Sequence, residues 1–267
     1  MSSFSRITEL EGKRIHFIGI GGAGMSGIAR IMLAQGLSVS GSDLKSSVST
    51  ENLQTLGAKI FLGHQVENVH GADLVVFSTA IATHNPERTE AEKLGIPQMA
   101  RAEALSLLMA GKRSIAVAGT HGKTTTTSML TVALQKTGAD PSFAIGGLIS
   151  ASGINAYSGS GDIFVAEADE SDGSFTFYKP LAAIITNIEL DHVDHFADLE
   201  AVYEIFIEFV NTLQSGGYLI LCRDDPGVRE LLKRVDRDDI LIITYGNSDA
   251  DWQISRVHLD ESSSTAR

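Results

Sequence analysis

The chain has 267 residues, 21 Lys+Arg against 33 Asp+Glu and a formal net charge of −12, enough length for one large or two medium domains. That acidic balance excludes a general nucleic-acid or acidic-membrane surface and confines any phosphate binding to a local site. The single cysteine, Cys222, rules out an intrachain disulfide framework. No stretch approaches the ~20 apolar residues of a membrane span, and the opening MSSFSRITELEGKR has no apolar signal core, which points to the cytoplasm.

Short apolar runs alternate with helical-period segments along the whole chain. RIHFIGI, LSVSGSD, AKIFLG, ADLVVFSTA, SIAVAGT, PSFAIGG, DIFVAEAD, LAAIITNI, GYLILC and DILIITYG read as strands. They are separated by segments such as GMSGIARIMLAQG, STENLQTLG, NPERTEAEKLG and TTTTSMLTVALQKTG, and this alternation predicts an α/β fold of parallel sheets covered by helices. Gly36, Gly57, Gly95 and Gly138 close helical segments where a left-handed cap is expected. The pattern restarts after GIPQMARAEALSLLMAGKR, a short strand and helix, so a Rossmann-like domain is expected over residues 1–102 and a P-loop-type domain over 103–267.

In the first block, Gly19, Gly21 and Gly24 stand in G-x-G-x-x-G spacing between a strand and a helix. Backbone amides can then approach a pyrophosphate at the positive end of the helix. Asp43 closes the next strand 19 residues after Gly24, where a carboxylate could bind ribose hydroxyls. STAI at 78–81 would share that rim. Taken alone this reads as dinucleotide binding, hence an NAD-dependent oxidoreductase, but the fingerprint reports only a diphosphate at a strand-helix turn. A packing turn with no ligand is the bland alternative, since glycine continues at Gly22 and Gly27.

The second block opens with AVAGTHGKTTTT, residues 116–127. The common spacing G-x-x-x-x-G-K-[ST] would place its first glycine at Val117, whereas the first glycine here is Gly119. Downstream, DIFVAEADESD holds five carboxylates, Asp162, Glu167, Asp169, Glu170 and Asp172, and a later strand runs into TNIELDHVDHF. A phosphate loop, acidic residues and a His/Asp cluster are what phosphoryl transfer needs. Lys123 would neutralise terminal phosphates, Thr124 would ligate Mg²⁺, and a carboxylate with further ligands would hold one or two metal ions. Glu167 inside its apolar strand and His192 between two aspartates favour function. Glu170 and Asp172 read equally as a solvated loop, His195 reads as a turn residue, and His121 stays open. Cys222 reads as a small buried thiol, and the absence of H-E-x-x-H leaves a zinc protease without support.

GIGGAGMSGIA, GTHGKTTTT, AEADESD and TNIELDHVDHF, in this order, resemble the Mur ligases of bacterial cell-wall synthesis, over nearly all of residues 12–260. The family's loop is G-T-x-G-K-[ST], which accounts for the late glycine. By that resemblance the first domain holds UDP-N-acetylmuramic acid on Gly19, Gly21, Gly22, Gly24, Met25 and Ser26, with Ser42, Asp43, His64, Ser78 and Thr79 as helpers. The second domain binds ATP on Gly119, Thr120, His121, Gly122, Lys123, Thr124 and Thr125. Thr124 and Glu167 serve a first Mg²⁺ and His192 a second, and Lys123, Glu167 and His192 carry the catalysis.

The implied reaction phosphorylates the muramoyl carboxylate, and the amine of L-alanine then attacks the acyl phosphate. Some sister ligases carry a carbamylated lysine in the following helix; AVYEIFIEFVNT, residues 201–212, has no lysine, in agreement with the alanine-adding branch. Family members continue into a third domain, so the chain reads as a fragment that binds without ligating. A non-catalytic nucleotide-sugar module remains the alternative.

Overall fold

The computed structural model describes residues 4, 6–149, 153–171, 173–191, 195–255, 257–259 and 264–265. β1 (Arg14–Ile18) leads through a glycine turn into α1 (Ala23–Ala34), followed by β2 (Ser38–Asp43), α2 (Val48–Thr55), β3 (Lys59–Leu62), β4 (Leu74–Phe77), α3 (Pro86–Lys93), β5 (Gln98–Ala100) and α4 (Arg101–Met109). Ile15, Phe17 and Ile18 of β1 have no exposed surface, as a strand covered on both faces of a parallel sheet requires. The five strands are all parallel, in the order β3-β2-β1-β4-β5. Ile18 lies opposite both Ser42 and Phe77, so the turns after β1, β2 and β4 open on one edge. β1 and β4 flank the point where strand order reverses, which is where open α/β sheets bind ligands.

Local chemistry sets the helix ends. Ser47 and Thr50 form a reciprocal capping box at α2, and Asn85 caps α3 ahead of Pro86, each satisfying amides that the first turn leaves open. The predicted left-handed caps are present: φ is +81° at Gly36, +103° at Gly57, +67° at Gly95 and +81° at Gly138.

The rest of the chain comprises β6 (Arg113–Ala118), α5 (Lys123–Lys136), β7 (Ser142–Ile149), β8 (Ile154–Tyr157), β9 (Ile163–Glu167), β10 (Ala182–Ile185), α6 (Leu199–Asn211), β11 (Tyr218–Cys222), α7 (Pro226–Arg234), β12 (Leu241–Gly246) and β13 (Trp252–Gln253). Two compact units result: Met1–Lys112 with Ser128–Val165, and Arg113–Thr127 with Ala166–Arg267. Residue 102 itself falls inside α4, which groups with the first unit.

Besides the five-stranded sheet, the first unit contains the antiparallel pair β7–β8, over a cluster of Phe143, Ile145, Ile149 and Val165. The parallel sheets that the alternation predicts are present, and this antiparallel pair is an addition to them. INAY is too short and too polar to announce a strand, and a hairpin connection needs no crossover helix.

In the second unit β10 pairs in parallel with β6 and β11, β11 with β12, and β12 with β13. α6 is capped by Asp198, whose side chain accepts from Ala201 N at 2.9 Å. Its inner face brings Phe206 and Phe209 onto Phe175, with centroids 5.4 Å away edge-on and 4.5 Å away stacked. Cys222 is half-buried rather than enclosed. Among the described residues no helix is long and apolar enough to cross a membrane.

The aromatic cluster gives a direct test of what holds α6 in place. Phe209 is fully buried, so Phe209→Ala removes both apolar transfer and the stacked ring, at about 3–5 kcal/mol. Urea unfolding measures it; a loss below about 1 kcal/mol would mean that the cluster does not anchor the helix.

Candidate functional site: a phosphate loop and a glycine turn

The second unit's loop runs from the end of β6 to the first turn of α5. Gly119 adopts φ +130°, and a Cβ there would stand 2.2 Å from Thr186 Oγ1, so only glycine fits. Thr120 N donates to Asn187 O at 3.0 Å. His121 N donates to Asn187 Oδ1 at 2.8 Å, while His121 O accepts from Asn187 Nδ2 at 2.9 Å and Thr186 Oγ1 at 2.7 Å. Glu189 N donates to Thr120 Oγ1 at 2.9 Å. The residues just beyond β10 therefore fix the loop's shape.

Lys123 Nζ donates to Gly119 O at 2.7 Å, Thr120 O at 3.1 Å and Glu170 Oε1 at 2.8 Å. Glu170 is 2% exposed, not the solvated loop residue that the sequence allowed. Burial pushes its carboxyl above the usual carboxylate range, against the hydrogen bond and charge of Lys123. Thr124 Oγ1 donates to Glu167 Oε1 at 3.0 Å. A hydroxyl and a carboxylate side by side at a phosphate loop are the hard oxygen donors that suit Mg²⁺, an ion that takes one or two protein oxygens and completes its shell with water and phosphate.

Among the described residues no three His, Cys, Asp or Glu side chains form a metal group. His192, the expected second ligand, lies outside the described residues, as do Asp172 and Asp194. Asp162 precedes β9, so it sits at the opposite end of the strand from Glu167, roughly 17 Å along an extended chain, and is removed from the acidic group. His195 and His121 are exposed, Gly122 and Thr125 lie on the open side of the loop, and the His121 ring approaches Glu189 only to 3.9 Å.

In the first unit, Gly19 N and Ile20 N donate to Ser42 O at 2.8 and 3.0 Å, clamping the glycine turn to β2. Gly21 N donates to Asp43 Oδ2 at 2.9 Å, and a Cβ on Gly21 would stand 2.9 Å from that oxygen. α1 starts after Gly22 without a side-chain cap, leaving its first-turn amides for a ligand. Met25 and Ser26 are buried at 2% and 7% exposure, so they offer main chain rather than side chain. Ser78 Oγ accepts from Ala80 N at 3.1 Å, and Thr79 is exposed.

Ser42 is fully buried. Its Oγ donates to Glu87 Oε2 at 2.6 Å and meets His64 Nδ1 at 3.0 Å. Glu87, with no exposed surface, also takes Asn68 Nδ2 at 2.6 Å and Gln65 N at 3.3 Å on Oε1, and His16 Nε2 lies 3.4 Å from Oε2.

Sequence reasoning missed Glu87, which reads as one acid among many in NPERTEAEK. It also missed Asn187, whose only signal is an amide two residues past a strand, and Arg101, whose Nη1 would lie 2.8 Å from a Cβ placed on Gly24.

Two family profiles match the chain: "Mur ligase family, catalytic domain" over residues 14–113 and "Mur ligase middle domain" over 117–267. The chain is 53% identical over 237 residues to the UDP-N-acetylmuramate–L-alanine ligase of a Nocardioides species, covering 89% of this chain and 53% of that protein. The enzyme of the same name from Renibacterium salmoninarum is 54% identical over 237 residues, covering 89% and 51%. The chain thus spans about half the length of the curated relatives it matches. Among solved structures, the UDP-N-acetylmuramate–alanine ligase of Thermotoga maritima aligns with a TM-score of 0.81 at 29% identity, covering 95% of this chain and 57% of that one. The UDP-N-acetylmuramate:L-alanyl-γ-D-glutamyl-meso-diaminopimelate ligase of Neisseria meningitides aligns with a TM-score of 0.85 at 30% identity, covering 93% and 82%.

The Lys123–Glu170 pair predicts a pH-dependent competition for anions. As pH falls toward the raised Glu170 pKa, the carboxyl takes up a proton and stops competing for Lys123, so tripolyphosphate should bind several-fold more tightly than the titration of the anion alone allows. Glu170→Gln should remove that extra dependence and tighten binding at pH ~8, where the wild-type carboxylate is ionised. Calorimetric titration of both proteins between pH ~5 and ~8 measures it, and identical profiles would exclude the competition.

Proposed function

Because the chain belongs to the Mur ligase family, we propose that it carries the nucleotide-sugar and ATP sites of a UDP-N-acetylmuramate–L-alanine ligase of peptidoglycan precursor synthesis. The observation that carries this reading is the loop at Gly119–Thr125, with Lys123 held beside Glu170 and Thr124 beside Glu167. A dinucleotide oxidoreductase has no use for that second phosphate site. The functional division follows the two profiles: the glycine turn and its helpers serve the UDP-sugar, and the part beyond β6 serves ATP.

In the reaction, a muramoyl carboxylate oxygen attacks the γ-phosphorus of ATP and the bond to the β-phosphate oxygen breaks. The amine of L-alanine then attacks the acyl carbon, releasing inorganic phosphate. Charge at the transferring group is the main obstacle, and catalysis amounts to positioning and electrostatic stabilisation. Lys123 leaves Glu170 for the phosphates, and the loop amides at the start of α5 receive phosphate oxygens. Thr124 and Glu167 would hold Mg²⁺, with His192 as ligand of a second ion; when bound, Mg²⁺ neutralises charge on the β- and γ-phosphates. Asp43 and Gly21, already hydrogen-bonded to each other, present a ribose acceptor and an open backbone at the diphosphate.

Calorimetry of the chain with UDP-N-acetylmuramate, and in parallel with NADH, tests the reading: the UDP-sugar should bind saturably and NADH should not, and the opposite pattern overturns it. Gly21→Val should abolish UDP-sugar binding, because the branched side chain would collide with Asp43 and fill the diphosphate's space. Glu167→Gln keeps the shape but removes the anion, so Mg²⁺-dependent ATP binding should fall about tenfold or more while UDP-sugar binding holds. Loss of both ligands together would indicate misfolding instead.

A further inference from the structure

One stripe of α1 is committed to the hairpin β7–β8. Asn155 Nδ2 donates to Ala23 O at 2.9 Å, and a Cβ on Gly27 would stand 3.0 Å from Ala156 Cβ, so helix and hairpin meet there with only small side chains between them. Arg30 and Ala34 continue the stripe at intervals of three and four residues. Beside Arg30 the first unit opens into a cleft of about 230 Å³, walled by Leu33, by Leu56 at the end of α2, and by Ile154, Tyr157 and Ser158 along β8. Leu56 is 49% exposed and Tyr157 39%, so apolar surface faces water in the cleft, and the Tyr157 ring is backed by Phe143 with centroids 5.9 Å apart.

This cleft is separate from the glycine turn. Leu33 lies near the other end of α1 from Ala23, about 15 Å along the helix, and neither the turn nor Ser42, Asp43, His64, Ser78 or Thr79 lines it. Arg30 is half-buried and makes no hydrogen bond or ion pair among the described residues. A guanidinium is always charged and presents a planar fork of donors that matches a carboxylate. The chain has 33 Asp+Glu, yet none of the described ones answers this cation.

We propose that the cleft is an accessory binding site for a small amphipathic carboxylate. The Arg30 fork takes the carboxylate, while Leu33, Leu56, Ile154 and the Tyr157 ring take the apolar tail, which is the usual make-up of a small-molecule site: apolar walls with a few placed polar groups. An inorganic anion would leave the walls wet, and a neutral hydrocarbon would leave the fork unanswered. A second copy of the chain, itself at −12, would be repelled.

Octanoate is the probe, with octanamide as its uncharged counterpart. Calorimetry should rank octanoate about tenfold or more tighter than octanamide, and ¹H–¹³C spectra should show methyl shifts at Leu33, Leu56 and Ile154. Arg30→Met keeps an apolar stem without the charge, and should bring the two probes to within about threefold. Leu56→Glu, at an exposed position, should weaken octanoate about fivefold or more by setting a second carboxylate against it. Saturating UDP-N-acetylmuramate should leave octanoate binding unchanged, and the chain should sediment as a monomer.

Equal binding of the two probes by the wild type, an undiminished preference in Arg30→Met, or methyl shifts confined to other residues overturns the proposal. Displacement of octanoate by UDP-N-acetylmuramate also overturns it, by making the cleft part of the sugar site. A dimer that Tyr157→Asp dissociates would put a second copy there instead and overturn it as well. Failure of the UDP-sugar to bind at all bears on the proposed function and leaves the probe comparison to decide the cleft.

Discussion

An acidic side chain that is 2% exposed beside a phosphate loop has to be answered by a cation. Lys123 answers Glu170 at 2.8 Å, and the loop between β6 and α5 is organised around that contact. The same ammonium donates to Gly119 O and Thr120 O, so one side chain ties the loop to itself and to the segment after β9. The loop is held in turn by Thr186 and Asn187 at the end of β10. The chain ends of β6, β9 and β10 thus meet at the first residue of α5 and the loop before it. Any anion that takes Lys123 must supply what the carboxylate supplied, and a triphosphate does so with charge to spare.

How much of this was legible in the sequence depended on whether the signal was periodic. The strands of both sheets and the left-handed caps at Gly36, Gly57, Gly95 and Gly138 follow from alternation and from glycine's freedom at positive φ. β8 and α7 did not announce themselves, being short and half polar. The phosphate loop was legible because its residue types are few and their order is fixed. Glu170 and Glu87 were not, since a buried acid and a solvated acid look identical in one dimension; only the third dimension brings Lys123 to one, and Ser42, Asn68 and His16 to the other. Asp162 failed in the opposite direction. Adjacent to the motif in sequence, it sits at the wrong end of a strand, where proximity along the chain becomes distance in space.

The two glycine turns solve different problems with the same backbone device. At Gly19–Ser26 the turn is closed against β2 through Ser42 O and Asp43, and the charge that faces it comes from amides and the helix end. A ligand whose diphosphate stays intact needs only to be held, and fixed dipoles hold it without reorganising. At Gly119–Thr125 the turn carries a lysine and a hydroxyl, each hydrogen-bonded to its own carboxylate at or just beyond the end of β9. Such a set can exchange partners as charge moves.

The overall charge of −12 sharpens that division. A molecule whose field repels polyphosphates gains nothing from long-range attraction, so any phosphate ligand would have to be recognised at short range. In the first unit the groups at that range are the first-turn amides of α1 and the Asp43 carboxylate. In the second, Glu167 and Glu170 add two more negative charges beside the loop. Lys123 alone would not balance these together with a triphosphate, and a divalent cation held by the oxygens of Thr124 and Glu167 would make up the difference.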